Sequence, residues 1–167
     1  IERERHAIAV HEGCHAVVAY RERKHLQIDL ATIEKGGSYL GMVSSIRPED
    51  QFTRWRSEYE ADIMVALASL AGERMFFGGD NSSGVMSDLE KATSLAIMME
   101  GYWGMGSTVA NHGVTHQFGV GGGGRPPGED DHERELIKNA ALGRRIEENL
   151  GRILDETVEL VRQNRHE

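Results

Sequence analysis

The sequence predicts a mainly α-helical fold with a small β-hairpin, and three patterns along its 167 residues lead to that prediction. Long segments carry apolar residues three and four apart, which is the spacing of one helix face. Residues 26–34 instead alternate apolar and polar side chains, as a strand does. The pair Gly36–Gly37 then turns the chain into a second strand-like segment at 39–46.

Four helical segments are predicted from their apolar positions. The first covers residues 2–24, which are charged at both ends and apolar in the middle, and the second runs from Thr53 to Phe77. A third follows the loop at 78–84, and the last is amphipathic. The apolar positions of the later three are Ile63, Leu67, Leu70 and Met75, then Leu89, Ala92, Leu95, Ala96 and Met99, then Ile146, Leu150, Ile153, Leu154, Val158 and Val161.

Composition limits what the chain can be. We expect a single domain over residues 1–167, with a flexible glycine-rich loop at 119–128. A net charge of −8 argues against nucleic-acid binding, which needs concentrated Lys and Arg. No apolar run reaches the roughly 18 residues that span a bilayer, so this piece is expected to be soluble and without membrane contact. Because the chain begins at Ile1 rather than Met, we expect it to be a fragment of a longer protein.

The segment IAVHEGCHAVVAY, residues 8–20, carries the chemistry. His11 and His15 stand four apart, so a helix places both imidazoles on one face, where they can bind one metal ion. Glu12 lies one step round the helix and can serve as a general base without binding the metal. The apolar flanks predict a helix buried on most sides, where unpaired His and Glu side chains would be costly.

A zinc hydrolase needs a third protein ligand. The metzincin pattern is excluded, because Val18 and Arg21 stand where it requires Gly and His. A thermolysin-like site would use Glu58, with Asp62 four residues later.

Asp88 is the other candidate, 73 residues beyond His15. It lies in a Gly/Ser loop that opens a helix, and Ser87 and Glu90 have the spacing of a capping box. These features favour Asp88, although a plain helix-terminal charge would also explain it. The residues alone therefore leave both candidates, Asp88 and Glu58, open.

Several segments in residues 1–107 resemble one known family in both order and spacing. They are IAVHEGCHAVVAY, TIEKGGSYLGMV, RPEDQFTRWRSE, LASLAGERMFFG, SSGVMSDLEKAT and GYWGMG. They are similar to segments of the peptidase domain of FtsH-type ATP-dependent zinc metalloproteases. In the same order, that domain carries a HEAGHA helix, a hairpin, a following loop, and the motifs LGGRAAEELIFG, TGASNDLxxAT and EWGMS. The resemblance implies a zincin-like helical protease domain, with His11, His15 and Asp88 as zinc ligands and Glu12 as catalytic base.

The same resemblance implies a function and partners. The chain is expected to be a Zn²⁺-dependent endopeptidase domain that hydrolyses unfolded or damaged polypeptides. By this resemblance, an AAA+ ATPase upstream in the same parent chain is expected to feed it. This chain has no GxxxxGK[ST] phosphate loop, so it is not expected to bind ATP itself. The parent is expected to be a homo-hexamer, anchored in a membrane and facing the cytoplasm or an organelle interior.

Departures from the family pattern keep one alternative open, a catalytically inactive, zinc-stabilised assembly scaffold. Gly13 and Cys14 replace the usual Ala–Gly pair, and Ser87 replaces Asn beside the third ligand. We expect Cys14 to be a small buried thiol rather than a stray ligand or an oxidation site. Glu73 is expected either to orient a ligand histidine or to be a surface charge. The presence of Glu12 argues against the scaffold, since a structural metal site needs no base.

Overall fold

The computed structural model of the protein describes residues 2–24, 27–32, 42–46, 53–112 and 129–166. Most of these residues are helical, which confirms the predicted helical class. The helices are α1 (Glu2–Glu22), α2 (Arg56–Phe76), α3 (Met86–Gly101) and α4 (Glu129–Gln163). A single 3-10 turn, Ser83–Val85, immediately precedes α3.

Two strands form an antiparallel pair, β1 (Gln27–Thr32) and β2 (Met42–Ile46). Their register shifts between Ile28 and Leu30, which is a β-bulge in β1. The turn predicted at Gly36–Gly37 and the glycine-rich loop predicted at 119–128 both lie outside the described residues.

The chain divides into two compact units. The first comprises Ile1–Ala92 together with Arg152–Glu167, and the second comprises Thr93–Gly151. In the second unit, the buried carboxylate of Glu100 accepts two hydrogen bonds from Ser107. The backbone N–H donates at 3.1 Å and the hydroxyl at 3.3 Å. The single domain expected over 1–167 stays a prediction.

The core of the first unit is built around α2, in which every residue from 63 to 73 is buried. This segment is rich in Ala and Leu, which favour helix and bury apolar surface on all sides. The end of α4 adds Ile153, Thr157 and Val161, which are spaced by four and buried in one stripe. α1, which carries the two histidines, packs on this central helix.

α1 is buried along one stripe only, comprising Cys14, His15, Val18 and Ala19. The prediction that this helix is buried on most sides is therefore wrong: Gly13 is exposed, and Tyr20 is 72% exposed. The physical reason is that α1 packs through one face, mainly on α2. His11 and Glu12 lie at the border of that stripe and are half-buried.

None of the described helices is both long enough and apolar enough to cross a membrane.

Candidate metal centre

Two histidines of α1 are held in place through their Nδ1 atoms. Nδ1 of His15 lies 2.6 Å from the backbone carbonyl oxygen of Val65, and Nδ1 of His11 lies 2.9 Å from Oε1 of Glu73. A carbonyl or carboxylate oxygen only accepts, so each Nδ1 carries the proton that it donates. Both rings, when neutral, therefore present the lone pair of Nε2 to the space between them.

Asp88 enters this space from the first turn of α3. The helix begins at Met86, so the helix start predicted from Ser87 and Glu90 is wrong. The cap lies earlier, because the 3-10 turn precedes α3 and the Ser82 hydroxyl accepts a hydrogen bond from the Gly84 N–H at 3.1 Å. As a result, Asp88 faces α1 and α2 from a helical backbone.

The three side chains converge on one point. Oδ2 of Asp88 lies 3.2 Å from Nε2 of His11 and 3.2 Å from Nε2 of His15. The three ligand atoms all lie within 4.8 Å of one another. In a tetrahedral zinc site with bonds of about 2.0–2.1 Å, neighbouring ligand atoms are about 3.3 Å apart. The two distances from Asp88 Oδ2 therefore fit those between neighbouring ligands of a tetrahedral ion.

The donor chemistry gives a second test of that fit. With each Nδ1 proton already donated elsewhere, two nitrogen lone pairs and a carboxylate oxygen face one another. Such groups repel unless a proton or a cation lies between them. Two imidazoles and one carboxylate are ligands that zinc accepts. The site is therefore well suited to bind a divalent metal.

The pKa values of His11 and Asp88 also indicate that the site favours a positive charge. Burial lowers the pKa of His11, but hydrogen bonds to Asp88 and Glu73 outweigh burial and raise it from 6.5 to about 9. Burial raises the pKa of Asp88, but hydrogen bonds from His11, His15 and Ser69 outweigh it and hold that pKa well below its ordinary value. In the protein without metal, a proton on His11 therefore offsets the charge of Asp88.

Glu12 lies next to His11 on α1 and is half-buried. Burial raises the pKa of its carboxyl group, while the charges of His15 and His11 oppose the rise. It is not one of the three residues whose ligand atoms cluster. Glu12 is thus close to the site without being part of the described donor set.

The rival ligand, Glu58, is engaged elsewhere. Its Oε2 accepts the Trp55 backbone N–H at 2.7 Å, and so it caps the start of α2. Its companion Asp62 pairs with Arg23 at 2.7 Å and with Arg54 at 2.5 Å. Neither carboxylate belongs to the described group that could bind a metal, whereas Asp88 does.

Glu73 is buried, with 2% of its surface exposed, so its interpretation as a surface charge is wrong. Its Oε1 accepts the proton of His11 Nδ1, and its Oε2 accepts the Ser82 backbone N–H at 2.5 Å. The Ser82 hydroxyl donates to Oε1 at 3.1 Å. Glu73 therefore links the loop after α2 to the orientation of the His11 ring.

Ser69 is a site residue that the sequence analysis missed. It lies on α2, is fully buried, and its Oγ is 2.8 Å from Oδ2 of Asp88. One signal for it exists in the sequence, because Ser69 is the hydroxyl-bearing residue within the apolar run MVALASLAG. A polar group in a helix buried on all sides needs a partner. The spacing of residues along the sequence does not identify this partner, Asp88, which lies 19 residues further along the chain.

Cys14 is a buried thiol, as expected, and lies outside the described metal-binding group. Burial, and then the charge of Glu73, raise the pKa of its thiol to about 11. The group is therefore protonated at neutral pH and is a poor metal ligand in that form.

Two histidines in an HExxH pattern on one helix, joined by a carboxylate from another helix, have the ligand set of a metal-dependent hydrolase. The model of peptidase family M41 matches residues 1–167. The chain is 30% identical over 162 residues to the ATP-dependent zinc metalloprotease FtsH of Protochlamydia amoebophila, covering 97% of this chain and 17% of that protein. It is 32% identical over 162 residues to FtsH 2 of Symbiobacterium thermophilum, covering 97% of this chain and 26% of that protein.

The similarity extends to eukaryotic proteins. The chain is 32% identical over 116 residues to the ATP-dependent zinc metalloprotease YME1L of Drosophila melanogaster, covering 69% of this chain and 16% of that protein. The chain thus spans between 16% and 26% of the length of these relatives. The chain belongs to peptidase family M41, and the predicted resemblance to FtsH-type metalloproteases is confirmed.

Proposed function

We propose that the chain is a zinc-dependent endopeptidase domain of zincin-like helical fold, with His11, His15 and Asp88 as zinc ligands and Glu12 as catalytic base. The observation that carries the proposal is the placement of one Asp88 oxygen at 3.2 Å from both Nε2 atoms. Zinc as the metal is supported by this donor set and by the names of the relatives.

Each residue has a defined task in this mechanism. His11, His15 and Asp88 would hold the zinc ion, which would supply an acidified water and an electrophile for the scissile carbonyl. Glu12 accepts the proton of the attacking water and delivers it to the nitrogen of the leaving amine. Glu73 and the Val65 carbonyl hold the two imidazoles with Nε2 facing inward.

The strand pair offers a place for the substrate. Among the described strands, β2 pairs only with β1, so its second edge has no strand partner there. An extended polypeptide binds to such an edge through backbone hydrogen bonds, with little preference for sequence. This mode of binding suits a peptidase that degrades unfolded chains.

We infer further that the parent protein carries an AAA+ ATPase that unfolds substrates and feeds them to this domain. The relatives are named ATP-dependent and are several times longer than this chain. A homo-hexamer, anchored in a membrane and facing the cytoplasm or an organelle interior, is the assembly that we propose for the parent.

Metal content of purified variants tests the ligand assignment. We expect about one zinc per chain in the wild type, loss of zinc in Asp88→Asn, and retention in Glu58→Gln. Glu58→Gln is the matched control because it also neutralises a carboxylate in the first turn of a helix. Retention of zinc in Asp88→Asn, with loss in Glu58→Gln, would reassign the third ligand.

Proteolysis tests the role of Glu12. In the whole protein that contains this chain, Glu12→Gln is expected to bind zinc normally and to lose cleavage of an unfolded substrate such as casein. If Glu12→Gln and wild type cleave equally, Glu12 is not the base. If neither cleaves although both bind zinc, the inactive, zinc-stabilised scaffold becomes the better description.

A further inference from the structure

We propose that Ser69 is a positioning residue for the third metal ligand, and that its hydroxyl holds Asp88 so that a single oxygen, Oδ2, faces the two histidines. The proposal rests on the assignment of Asp88 as a ligand. It goes further because it names the Ser69 hydroxyl as the group that makes the Asp88 carboxylate bind the metal through one oxygen rather than two.

The hydroxyl of Ser69 has two acceptors within reach and one proton to donate. Its Oγ lies 2.8 Å from Oδ2 of Asp88 and 3.3 Å from the carbonyl oxygen of Ala66. A charged acceptor at 2.8 Å forms the stronger bond, so the proton is directed to Asp88. Because Ser69 is 0% exposed, its hydroxyl is shielded from bulk solvent.

All the described polar contacts of the Asp88 carboxylate converge on the same atom. Oδ2 is the oxygen near His11 Nε2, near His15 Nε2 and near Ser69 Oγ. A carboxylate oxygen has two lone-pair positions, so one can receive the Ser69 proton while the other binds a metal. The hydroxyl thereby favours binding through Oδ2 alone, which keeps one metal position free for water.

The backbone around Ser69 makes this arrangement rigid. Ser69 lies in the fully buried part of α2, two turns before the end of the helix, whereas Asp88 lies in the first turn of α3. The hydrogen bond therefore ties the third ligand to the central helix of the unit.

The test compares zinc affinity in the wild-type chain, in Ser69→Ala and in Thr157→Val, measured by competition with a chromophoric chelator. Ser69→Ala is expected to bind zinc about tenfold more weakly, as is usual when a partner of a metal ligand is removed. Thr157→Val is the matched control, because the Thr157 hydroxyl is also fully buried and donates to a helix carbonyl, that of Ile153, at 2.7 Å. It should bind zinc like the wild type.

A spectroscopic readout separates positioning from general stability. In the Co²⁺-loaded protein, the d–d absorption bands become weaker when a four-coordinate metal gains a fifth ligand. Ser69→Ala, in which Asp88 can turn to bind through both oxygens, should show weaker bands than the wild type. Ala is a better helix former than Ser, so the variant is expected to fold. Ser69→Thr, which keeps a hydroxyl, should regain affinity relative to Ser69→Ala.

Equal zinc affinity and equal Co²⁺ spectra in wild type and Ser69→Ala would overturn the proposed role of Ser69. The proposed function would not be affected by that result. A Ser69→Thr variant that binds no better than Ser69→Ala would also overturn it, since the effect would then lie in packing. A wild-type chain that binds no zinc would instead overturn the proposed function, and this inference with it.

Discussion

The thiol of Cys14 packs directly on Gly72, where α1 crosses α2. A methyl group at position 72 would collide with Cys14 Sγ. The absence of a side chain at Gly72 therefore leaves the room that the Cys14 thiol occupies between the two helices.

Gly72→Ala is expected to destabilise the protein by about 1–3 kcal/mol, because it overpacks the contact between α1 and α2. In a Cys14→Gly background the same substitution should instead stabilise, by up to about 1 kcal/mol, since Ala is the better helix former once the collision is removed. Urea unfolding of the four proteins in a double-mutant cycle measures both effects. Destabilisation of equal size in the two backgrounds would show that the contact is not the cause.

The Cys14 thiol is expected to react slowly with iodoacetamide in the folded protein. Its pKa of about 11, in place of 9.0, leaves about a hundredfold less thiolate at pH 8. Burial against α2 restricts access as well. Cys14 is the one cysteine of the chain, so mass-spectrometric labelling reports on it alone. Equal labelling rates in native and denaturing buffer would contradict this prediction.

Glu73→Gln is expected to weaken zinc binding by about 10- to 100-fold. The carboxylate accepts hydrogen bonds from His11 and from both the N–H and the hydroxyl of Ser82, and an amide cannot accept at both of its terminal atoms. Chelator competition measures the change. Glu60→Gln is the control, because Glu60 pairs with Arg152 at the surface; it should leave zinc affinity unchanged. If Glu73→Gln binds zinc with the affinity of the wild type, Glu73 does not orient the His11 ring for metal binding.

The metal-free protein is expected to lose stability as the pH rises from 6.5 through about 9. The folded-state pKa of His11 is raised from 6.5 to about 9, so its contribution is complete below 6.5 and is lost as the pH passes 9. Asp88 behaves oppositely: its pKa is lowered from 3.8, so its contribution is present above 3.8 and is lost at lower pH.

Urea unfolding in the presence of a chelator, between pH 5 and 9, measures the effect of His11. In Asp88→Asn the decline from pH 6.5 to 9 should become smaller, because the largest source of the raised His11 pKa is removed. Zinc affinity of the wild type should rise over the same range, since metal and proton compete for Nε2. A metal-free stability that rises toward pH 9 would contradict the assigned charge pair.

Local geometry made part of this molecule predictable. The helical class and the pairing of His11 with His15 follow from residues three and four apart, because a helix places such residues on one face whatever surrounds it. The position of Glu12 beside the donor set follows from the same geometry. Helix starts were less predictable: Glu58 caps α2 and Ser82 precedes α3, where sequence spacing had favoured Ser87.

The convergence of distant side chains was decided by tertiary packing. Composition and spacing favoured Asp88 but left Glu58 open, and the family resemblance then pointed to Asp88. In the folded chain Asp88 reaches His11 and also His15, which is 73 residues away, whereas Asp62, the companion of Glu58, is neutralised by Arg23 and Arg54. Spacing along a chain specifies which residues share a helix face. Which faces meet depends on how apolar surfaces such as α2 are buried, and that is a property of the whole fold.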